Sequence, residues 1–343
     1  MAKTPILAMI PSGVKVNKIY SILPSDGSGD FTFTRSDEAK RTDKKGLLEV
    51  KGINIPRLDY SDGSCPKIPL EPFSENLITY SENFSDASWL NTEDCIITDN
   101  ASVSPNLGGT TYGNVTFNIS EGSLEYNGLL CEAKIKDYRN GWYRCSISFT
   151  STGTNGTVFY STTQDTLKNN TELLHEGNGL DGVYIYGSQM EQMIYPTSYI
   201  FSNGTTSSRA KESANGAGNA TIFNDSKGVI MVEVEGFKKI PSNSQYIVLT
   251  SPVQSFSNAI TIQFRNDGNL RVYVGGSAIA NLQFIATDID FTENNKIAIN
   301  YDYVNDDYRM FINGISITRY YLGTATSIVG LSELKFNYSS SNF

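Results

Sequence analysis

Residues 259–276 read AITIQFRNDGNLRVYVGG, and this stretch decides the fold class. Apolar residues alternate with polar ones in its first half, an Asn-Asp-Gly-Asn turn follows, and the alternation resumes in its second half. The residues on the apolar face are Ile260, Ile262, Phe264, Leu270, Val272 and Val274. Period-two alternation on both sides of such a turn predicts an antiparallel β-hairpin whose apolar face points into a core.

The same pattern recurs on both sides of this hairpin. Residues 296–314, KIAINYDYVNDDYRMFING, alternate, turn at Asn-Asp-Asp and begin another strand at Tyr308. The stretch GVIMVEVEGF, which starts at Gly228, alternates valine with glutamate before it ends. Helical signals are almost absent. We therefore predict an antiparallel β-sandwich over residues 220–343, with one solvated face per sheet.

A second, less regular β-sandwich is predicted over residues 75–202, where five stretches are typical of strands. These stretches begin at Tyr112, Leu129, Gly141, Gly156 and Asp181. The last, DGVYIYGSQMEQM, is predicted to close the sandwich, with Val183, Ile185 and Gly187 facing inward. The Gly- and Ser-rich residues 203–219 are predicted to be a linker.

Residues 1–74 have a different character from the rest of the chain. They contain a Gly/Ser/Asp turn, the short strand FTFTR and the proline-punctuated run INIPRLDYSDGSCPKIPLEP. Proline disfavours helix both at its own position and at the preceding residue, so this run should be extended. A segment with so little core of its own is ordered by packing on the next domain, a neighbouring subunit or a docking partner. We predict an N-terminal attachment segment.

The composition excludes several functional classes. The chain is 39% hydrophobic and 18% charged, as folded globular proteins are, and its net charge of −9 argues against nucleic acid as a partner. No apolar run approaches the ~20 residues of a membrane span, and the N-terminus does not resemble a secretory leader. We expect neither membrane insertion nor export. A local basic cluster is interpreted as a solvated turn. It consists of Lys40, Arg41, Lys44 and Lys45.

No cofactor is expected, with calcium as the alternative. The four cysteines lack CxxC spacing, which argues against zinc; free thiols are favoured, and two disulfides are left open. They are Cys65, Cys95, Cys131 and Cys145. His175 has no second histidine to pair with, and we interpret it as a surface turn residue. Residues 265–268 and 301–307 offer clustered oxygen ligands suited to calcium, but ordinary turn chemistry is favoured.

Two pairs of carboxylates are candidates for acid–base catalysis. Glycosidases need two acids a few ångströms apart, and Glu191 with Asp181, or Glu233 with Glu235, could supply them. Like charges on one exposed strand face are ordinary, however, and no solenoid period of a β-helical enzyme is present. We therefore expect no enzymatic activity.

Sugar binding is the function that the side chains favour. A pyranose ring offers an apolar C–H face that stacks on an aromatic ring and hydroxyls that pair with Asn, Asp or Arg. The candidate binding residues are Trp142, Tyr143, Arg144, Tyr184 and Tyr186, with Tyr320 and Tyr321 behind them. For Trp142 itself, burial in the core is the favoured interpretation, because aromatic residues stabilise sandwiches by burial alone.

Several motifs give the chain a family resemblance. In order, they are GDFTFTR, NIPRLDYSDGSCPKIPLEPFSENLITYSENFSDASW, NGWYRCSIS and DGVYIYGSQMEQMIYPTSYIFSNGTTSSR. Together they resemble the modular tail and fibre proteins of tailed bacteriophages. In those proteins, a segment with a Pro-Arg-Leu-Asp-Tyr motif precedes a carbohydrate-binding-module-like jelly roll that ends in Tyr-Pro-Thr-Ser-Tyr-Ile. Residues after Ala220 are similar to laminin-G/concanavalin-A-like sandwiches.

The resemblance implies a virion protein, assembled in the host cytoplasm, that forms a fibre or tail appendage. Residues 1–74 would dock to other virion proteins, and a homotrimer would present the sandwiches to host cell-surface polysaccharide. Alternatives are a capsid-decorating head fibre without a ligand and a polysaccharide depolymerase. Because the lectin-like sandwich normally has another strand beyond the C-terminal LSELKFNYSSSNF, an open sheet edge is also expected.

Overall fold

The structure is a computed structural model of the chain. It describes residues 4–89, 102–106, 115–127, 131–150, 157–161, 184–193, 195–236, 245–251, 258–265, 268–275, 282–287, 289–290, 292–322 and 328–338. No α-helix occurs among these residues, and they form antiparallel sheets throughout. The predicted all-β sandwich architecture is confirmed.

Twenty-four strands make up these sheets. In chain order they are β1 (Val14–Lys15), β2 (Lys18–Ile19), β3 (Phe31–Thr34), β4 (Ala39–Thr42), β5 (Leu48–Lys51), β6 (Ser74–Asn76), β7 (Ser102–Asn106), β8 (Val115–Asn118), β9 (Ser123–Asn127), β10 (Cys131–Asp137), β11 (Tyr143–Phe149), β12 (Thr157–Ser161), β13 (Ser207–Arg209), β14 (Ser213–Ala217), β15 (Lys227–Val234), β16 (Gln245–Thr250), β17 (Ala259–Phe264), β18 (Leu270–Val274), β19 (Leu282–Ala286), β20 (Asn295–Asp302), β21 (Arg309–Ile312), β22 (Ile315–Ile317), β23 (Arg319–Leu322) and β24 (Glu333–Tyr338).

The largest sheet has ten strands in the order β1-β2-β3-β14-β24-β16-β17-β18-β19-β23. The hairpin predicted from the sequence is β17–β18, in which Ile260 lies opposite Val274 and Ile262 opposite Val272. All four side chains are buried, as their alternation predicted. The solvated second face predicted for each sheet is not present on β17, because Thr261 between the two isoleucines is also fully buried.

A four-stranded sheet, β15-β20-β21-β22, shares a single apolar core with the large sheet. The predicted hairpin of residues 296–314 is β20–β21, in which Ile299 lies opposite Met310. Both side chains are fully buried, in one cluster with Ile260 and Ile262 of the large sheet. These two sheets therefore share one core, to which residues 220–343 contribute most of the strands and earlier residues contribute β1, β2, β3 and β14.

The N-terminal segment is built into this sandwich. Strands β1–β3 extend the large sheet, and Thr32 of β3 lies opposite Asn215 of β14. Ile19, Phe31 and Phe33 are buried in the same core as the C-terminal strands. The segment was expected to pack on the next domain, a neighbouring subunit or a docking partner. In the structure it packs on another part of the same chain.

Residues 203–219, predicted to be a linker, form strands β13 and β14 instead. Strand β13 pairs with β6, and β14 lies between β3 and β24. Arg209 and Glu212 are fully buried in this segment. Its Gly- and Ser-rich composition indicated flexibility, but two buried charges with partners elsewhere in the chain fix it in place.

The open edge expected at the C-terminal strand is absent from the described sheet. Strand β24 pairs with β16 on one side and with β14 on the other. Phe336 lies opposite both Ala214 and Ile247, so both edges of β24 are bonded. Because β14 comes from a segment taken to be a linker, the sequence pattern could not supply this partner.

The middle of the chain contains separate, smaller sheets. Strands β12-β7-β8-β9 form one, and the hairpin β10–β11 forms another, with Ile135 opposite Cys145. A second apolar cluster centres on Val115, Phe117 and Cys131. The predicted strands that begin near Tyr112, Leu129, Gly141 and Gly156 correspond to β8, β10, β11 and β12.

Residues 184–193 do not form the closing strand that we predicted, and Val183 lies outside the described residues. Gly187 has a φ of 71°, which interrupts an extended run. Asn76 satisfies the neighbouring backbone instead: its amide donates to the carbonyl oxygen of Ser188 (3.3 Å), and its carbonyl oxygen accepts from the N–H of Met190 (3.1 Å). Side-chain hydrogen bonds thus supply part of what a β-ladder would provide.

In the part of the chain that the structure describes, no helix is long and apolar enough to cross a membrane.

Candidate functional site

Trp142 lies in the turn between β10 and β11, on the surface of the protein. Arg139, Asn140 and Gly141 all have positive φ, and the N–H of Tyr138 donates to the carbonyl oxygen of Trp142 (2.8 Å). Trp142 is 45% exposed to solvent. The favoured interpretation of Trp142 as a core residue is therefore wrong, because the turn carries this side chain outward.

The Trp142 turn is fixed by hydrogen bonds to the turn between β4 and β5. Arg139 Nη1 donates to the carbonyl oxygen of Lys44 (3.0 Å), and Asn140 Nδ2 donates to that of Lys45 (2.7 Å). Gly46 permits this close approach: a Cβ there would lie 2.8 Å from the carbonyl oxygen of Tyr138. The N-terminal segment thus positions a turn of the middle part of the chain.

Trp142 contacts Tyr186, with ring centroids 6.4 Å apart and ring planes at 73°. Tyr186 in turn lies 5.6 Å from Tyr199, with the ring planes at 59°. The N–H of Ser188 donates to the carbonyl oxygen of Ser81 (2.9 Å), and the Ser81 hydroxyl lies 2.7 Å from that of Tyr199, so Ser81 helps to hold both tyrosine segments in place. Edge-to-face aromatic pairs of this kind are favourable beyond their burial.

A charged pair lies beneath these rings. Lys40 Nζ is 3.1 Å from Glu82 Oε1, and the hydroxyls of Tyr186 and Tyr199 donate to the same oxygen at 2.7 and 2.9 Å. We call this group the aromatic site. It comprises Trp142, Tyr184, Tyr186, Tyr199, Phe201, Lys40 and Glu82.

Lys40 is surrounded by aromatic rings. Its Nζ lies 4.5 Å from the centroid of Tyr199, 5.1 Å from that of Phe201 and 5.8 Å from that of Tyr186. Cations within about 6 Å of a ring centroid are attracted by the ring quadrupole. The prediction that the basic cluster is a solvated turn is therefore wrong for Lys40, which belongs to β4 and points among the rings.

The electrostatics of the site favour an ionised Glu82. Partial burial tends to raise the pKa of this carboxyl, but hydrogen bonds from Tyr186, Tyr199 and Lys40 outweigh it and hold the pKa below the usual value. Burial, reinforced by the adjacent Glu82 charge, raises the pKa of both tyrosine hydroxyls, so they remain protonated donors. The site therefore contains one cation and one anion, and its internal charges cancel.

Hydrogen-bonding capacity remains at the surface of the aromatic site. All three bonds to Glu82 reach Oε1, so within the described part of the chain Oε2 remains able to accept. The Tyr184 side chain is 80% exposed, and the Trp142 ring presents its surface to solvent. The exposed aromatic rings can stack on the apolar face of a sugar ring. The Oε2 atom of Glu82 can accept a hydrogen bond from a ligand hydroxyl.

The structure brings together only some of the residues predicted for sugar binding. Trp142 and Tyr186 are in contact, and Tyr184 is exposed on the same segment as Tyr186. Tyr143 instead packs over Gly122, where a Cβ would lie 2.6 Å from its ring. Arg144 Nη2 donates to the carbonyl oxygen of Thr197 (2.5 Å), which is a structural role. The side chains of Tyr320 and Tyr321 lie outside the described part of the chain.

Sequence reasoning missed Lys40, Glu82, Tyr199 and Phe201. Tyr199 lies within the Tyr-Pro-Thr-Ser-Tyr-Ile motif, which was a signal for importance but not for a position beside Tyr186. Glu82 and Lys40 are separated by about forty residues from each other and by over a hundred from Tyr186 along the chain. No local pattern could reveal that contact.

The candidate catalytic carboxylates have structural partners. Glu191 accepts from the hydroxyls of Ser74 and Thr197 and from the N–H of Thr197 at 2.9 Å. Glu233 accepts from Asn294 Nδ2 (2.8 Å), and Glu235 pairs with Lys67. Asp181 and His175 lie outside the described residues.

Metal ligands do not converge in the described part of the chain: no group of three or more His, Cys, Asp or Glu side chains could hold a metal ion there. In the turn considered for calcium, the Asp302 carboxylate accepts from the N–H and side-chain amide of Asn305. The second such turn lies partly outside the described residues. The described cysteines Cys65, Cys131 and Cys145 are free thiols, and Cys95 falls outside the description.

No protein-family model and no curated protein sequence matches the chain. Among solved structures, one similar chain is the CBM40 module of a Ruminococcus gnavus IT-sialidase, bound to α2,3-sialyllactose. The two share 16% sequence identity with a TM-score of 0.27, over 34% of this chain and 66% of that one. The likeness is weak, and the interpretation of the aromatic site rests on its own geometry.

Proposed function

We propose that this protein is a non-enzymatic, glycan-binding component of a bacteriophage virion, in a fibre or tail appendage. One observation carries the binding part of the proposal: Trp142 is exposed against Tyr186, whose hydroxyl is fixed by Glu82. A surface tryptophan against a tyrosine whose hydroxyl is held by a carboxylate offers an apolar surface and hydrogen-bonding groups, the two kinds of contact that a pyranose ring needs.

Two physical arguments support glycan binding over a purely structural role. A single exposed aromatic residue is common on protein surfaces, but Trp142 and Tyr186 are both exposed and in contact, and contiguous exposed apolar patches are typical of binding sites. The hydrogen bonds around Glu82 also fix Tyr186 without using Oε2, so the site is ordered before a ligand arrives. Preorganisation of this kind reduces the entropic cost of binding.

The virion part of the proposal rests on the motifs of the N-terminal and middle segments. The motifs and their order resemble those of phage tail and fibre proteins, and residues 1–74 would attach the chain to other virion proteins. A homotrimer would present three shallow sites to one polysaccharide surface. Linked sites increase avidity by factors of about 100 or more without any new contact.

Binding to immobilised envelope polysaccharide of the host tests the proposal. We expect the wild-type protein to be retained, and Trp142→Ala to lose at least about tenfold in affinity with an unchanged melting temperature. Tyr303→Ala is the matched control, because Tyr303 is an aromatic residue with the same 45% exposure outside the aromatic site. Equal loss in both variants, or none in Trp142→Ala, would contradict the proposal.

The same immobilised polysaccharide discriminates between the two alternative functions. A capsid-decorating fibre without a ligand would not be retained by any host polysaccharide. A depolymerase would release reducing ends from it. Because Glu191 is hydrogen-bonded to Ser74 and Thr197, Glu191→Gln should lower stability; loss of reducing-end release at unchanged stability would favour the depolymerase.

A further inference from the structure

We propose that Lys40 is a built-in cation of the aromatic site and that it restricts the site to uncharged sugars. The inference rests on the proposed glycan-binding function and names the class of ligand. It also makes Lys40 the residue that determines specificity, which neither the sequence pattern nor the fold indicates on its own.

Aromatic rings and one carboxylate surround the Lys40 ammonium. A carboxylate beside several aromatic rings is the arrangement by which proteins bind ligand cations such as quaternary ammonium groups. Here Tyr186, Tyr199 and Phe201 surround Nζ, and Glu82 pairs with it at 3.1 Å. The lysine side chain is only 17% exposed. The protein thus fills its own cation cage.

The backbone of Lys40 is fixed by contacts on both sides. Its backbone belongs to β4, with Val50 of β5 opposite, and its carbonyl oxygen accepts from Arg57 Nη1 at 2.9 Å. Arg57 is fully buried. A ligand cation could enter the cage only by displacing the Lys40 ammonium from Glu82. Outside the cage it would find a carboxylate that Lys40 already neutralises, so it would lose hydration without a compensating counter-charge. Amino sugars with a free ammonium group should be excluded.

The same ion pair leaves no free cation for an anionic sugar. A sugar ring stacked on Trp142 would contact Tyr186, whose hydroxyl donates to Glu82 Oε1, and Lys40 Nζ pairs with the same oxygen. A uronate or sialate carboxylate would therefore find Lys40 already paired, and it would lose hydration without a compensating counter-charge. Uncharged pyranosides need only an aromatic surface and a hydroxyl acceptor, both of which the site provides.

The wild-type protein can be tested on an array of synthetic glycans in three groups: uncharged, uronate- or sialate-containing, and amino sugars with free ammonium groups. We expect bound glycans to be uncharged, with signals from the charged groups at least tenfold lower. Preferential binding of either charged group would overturn the proposal.

The variant Lys40→Ala tests the cage without reference to any glycan. Removing the side chain beyond Cβ empties the space among the three aromatic rings and leaves Glu82 beside them. We expect this variant to bind tetramethylammonium, followed by the NMR signal of its methyl groups, at least tenfold more tightly than the wild type. Lys40→Arg is the matched control, because it keeps a cation in the cage and should gain no such binding.

The two experiments separate the possible failures. If no glycan group binds but Lys40→Ala gains tetramethylammonium affinity, the cage exists and the proposed glycan-binding function is wrong. If uncharged glycans bind and Lys40→Ala gains nothing, the function stands and the role of Lys40 is wrong. Should Lys40→Ala fold poorly by its melting temperature, Lys40→Ser provides a second short, uncharged side chain.

Discussion

The guanidinium of Arg57 and the carboxylate of Glu212 form a buried, two-bonded ion pair. Arg57 Nε donates to Oε1 at 2.9 Å, and Nη2 donates to Oε2. Arg35 Nη1 donates to the same Oε1 at 2.8 Å, and both residues of the pair are fully buried. The pair joins the Pro-Arg-Leu-Asp-Tyr motif to the segment mistaken for a linker.

We expect Glu212→Gln to destabilise the protein by about 3 kcal/mol or more, because it leaves two buried guanidinium groups without their shared anion. Chemical denaturation would measure the loss. Glu293→Gln is the control: Glu293 pairs with Lys134 at 3.3 Å, but both side chains are largely exposed, so we expect a change of at most about 0.5 kcal/mol. Similar losses in the two variants would contradict this account of the buried pair.

Glu71 should make stability depend on pH in the acid range. Burial opposes its ionisation, but the charges of Arg209 and Arg57 and a hydrogen bond from Ser198 hold its pKa far below the usual value. A carboxyl whose pKa is lower in the folded state stabilises the fold above its unfolded pKa, about 4.3, and loses that contribution as pH falls toward the folded pKa. We expect unfolding free energy to fall below about pH 5.

The variant Glu71→Gln tests this assignment. It should be less stable than the wild type at neutral pH, and it should lose less further stability between about pH 5 and pH 3, because it has no proton to gain. Urea denaturation at each pH would give both quantities. A wild-type slope retained in the variant would assign the acid sensitivity to other carboxyls.

Gly46 links the fold to the aromatic site. It has a φ of 85°, and a Cβ there would lie 2.8 Å from the Tyr138 carbonyl oxygen. Gly46→Ala should displace the turn that carries Trp142 and weaken glycan binding, besides a backbone cost of about 1 kcal/mol. Gly314→Ala is the control, since Gly314 has a φ of 83° and open space around it. We expect it to lose stability only; equal binding by both variants would refute the link.

Thiol reactivity should distinguish the described cysteines. Burial raises the pKa of Cys145 to about 11 and raises that of Cys131, whereas Cys65 is exposed. Because the thiolate is the reactive species, a Cys95→Ser background should show one fast-reacting thiol with an aromatic disulfide reagent near neutral pH. Adding Cys65→Ser should remove the fast phase. Its persistence would show that a buried thiol is accessible.

Local patterns predicted the strands of the C-terminal sandwich well. The alternation around Ile262 and Ile299 reports which side of a strand faces a core, and both side chains lie there. Such a pattern needs no knowledge of distant residues. It was wrong for residues 184–193, because Tyr and β-branched residues indicate extended backbone even where side chains such as Asn76 satisfy the main chain.

Long-range charge pairing could not be read from the sequence. The segment around Glu212 looked flexible because of its small and polar residues, and the partners that fix it, Arg35 and Arg57, lie over 150 residues away. Lys40 likewise looked like part of a solvated basic turn. Its contacts with Glu82 and Tyr199 depend on the whole fold, so only three of the seven residues of the aromatic site could be predicted.

The most direct test of the central claim uses the two tryptophan indole signals in a ¹⁵N NMR spectrum. Trp89 Nε1 donates to the Tyr80 carbonyl oxygen at 2.9 Å and serves as the internal control, while Trp142 lies at the aromatic site. On titration with fragments of the host polysaccharide, we predict that the Trp142 indole signal shifts in a saturable manner and that of Trp89 does not. A saturable interaction that leaves the Trp142 signal unmoved, or the absence of any interaction, would contradict the account.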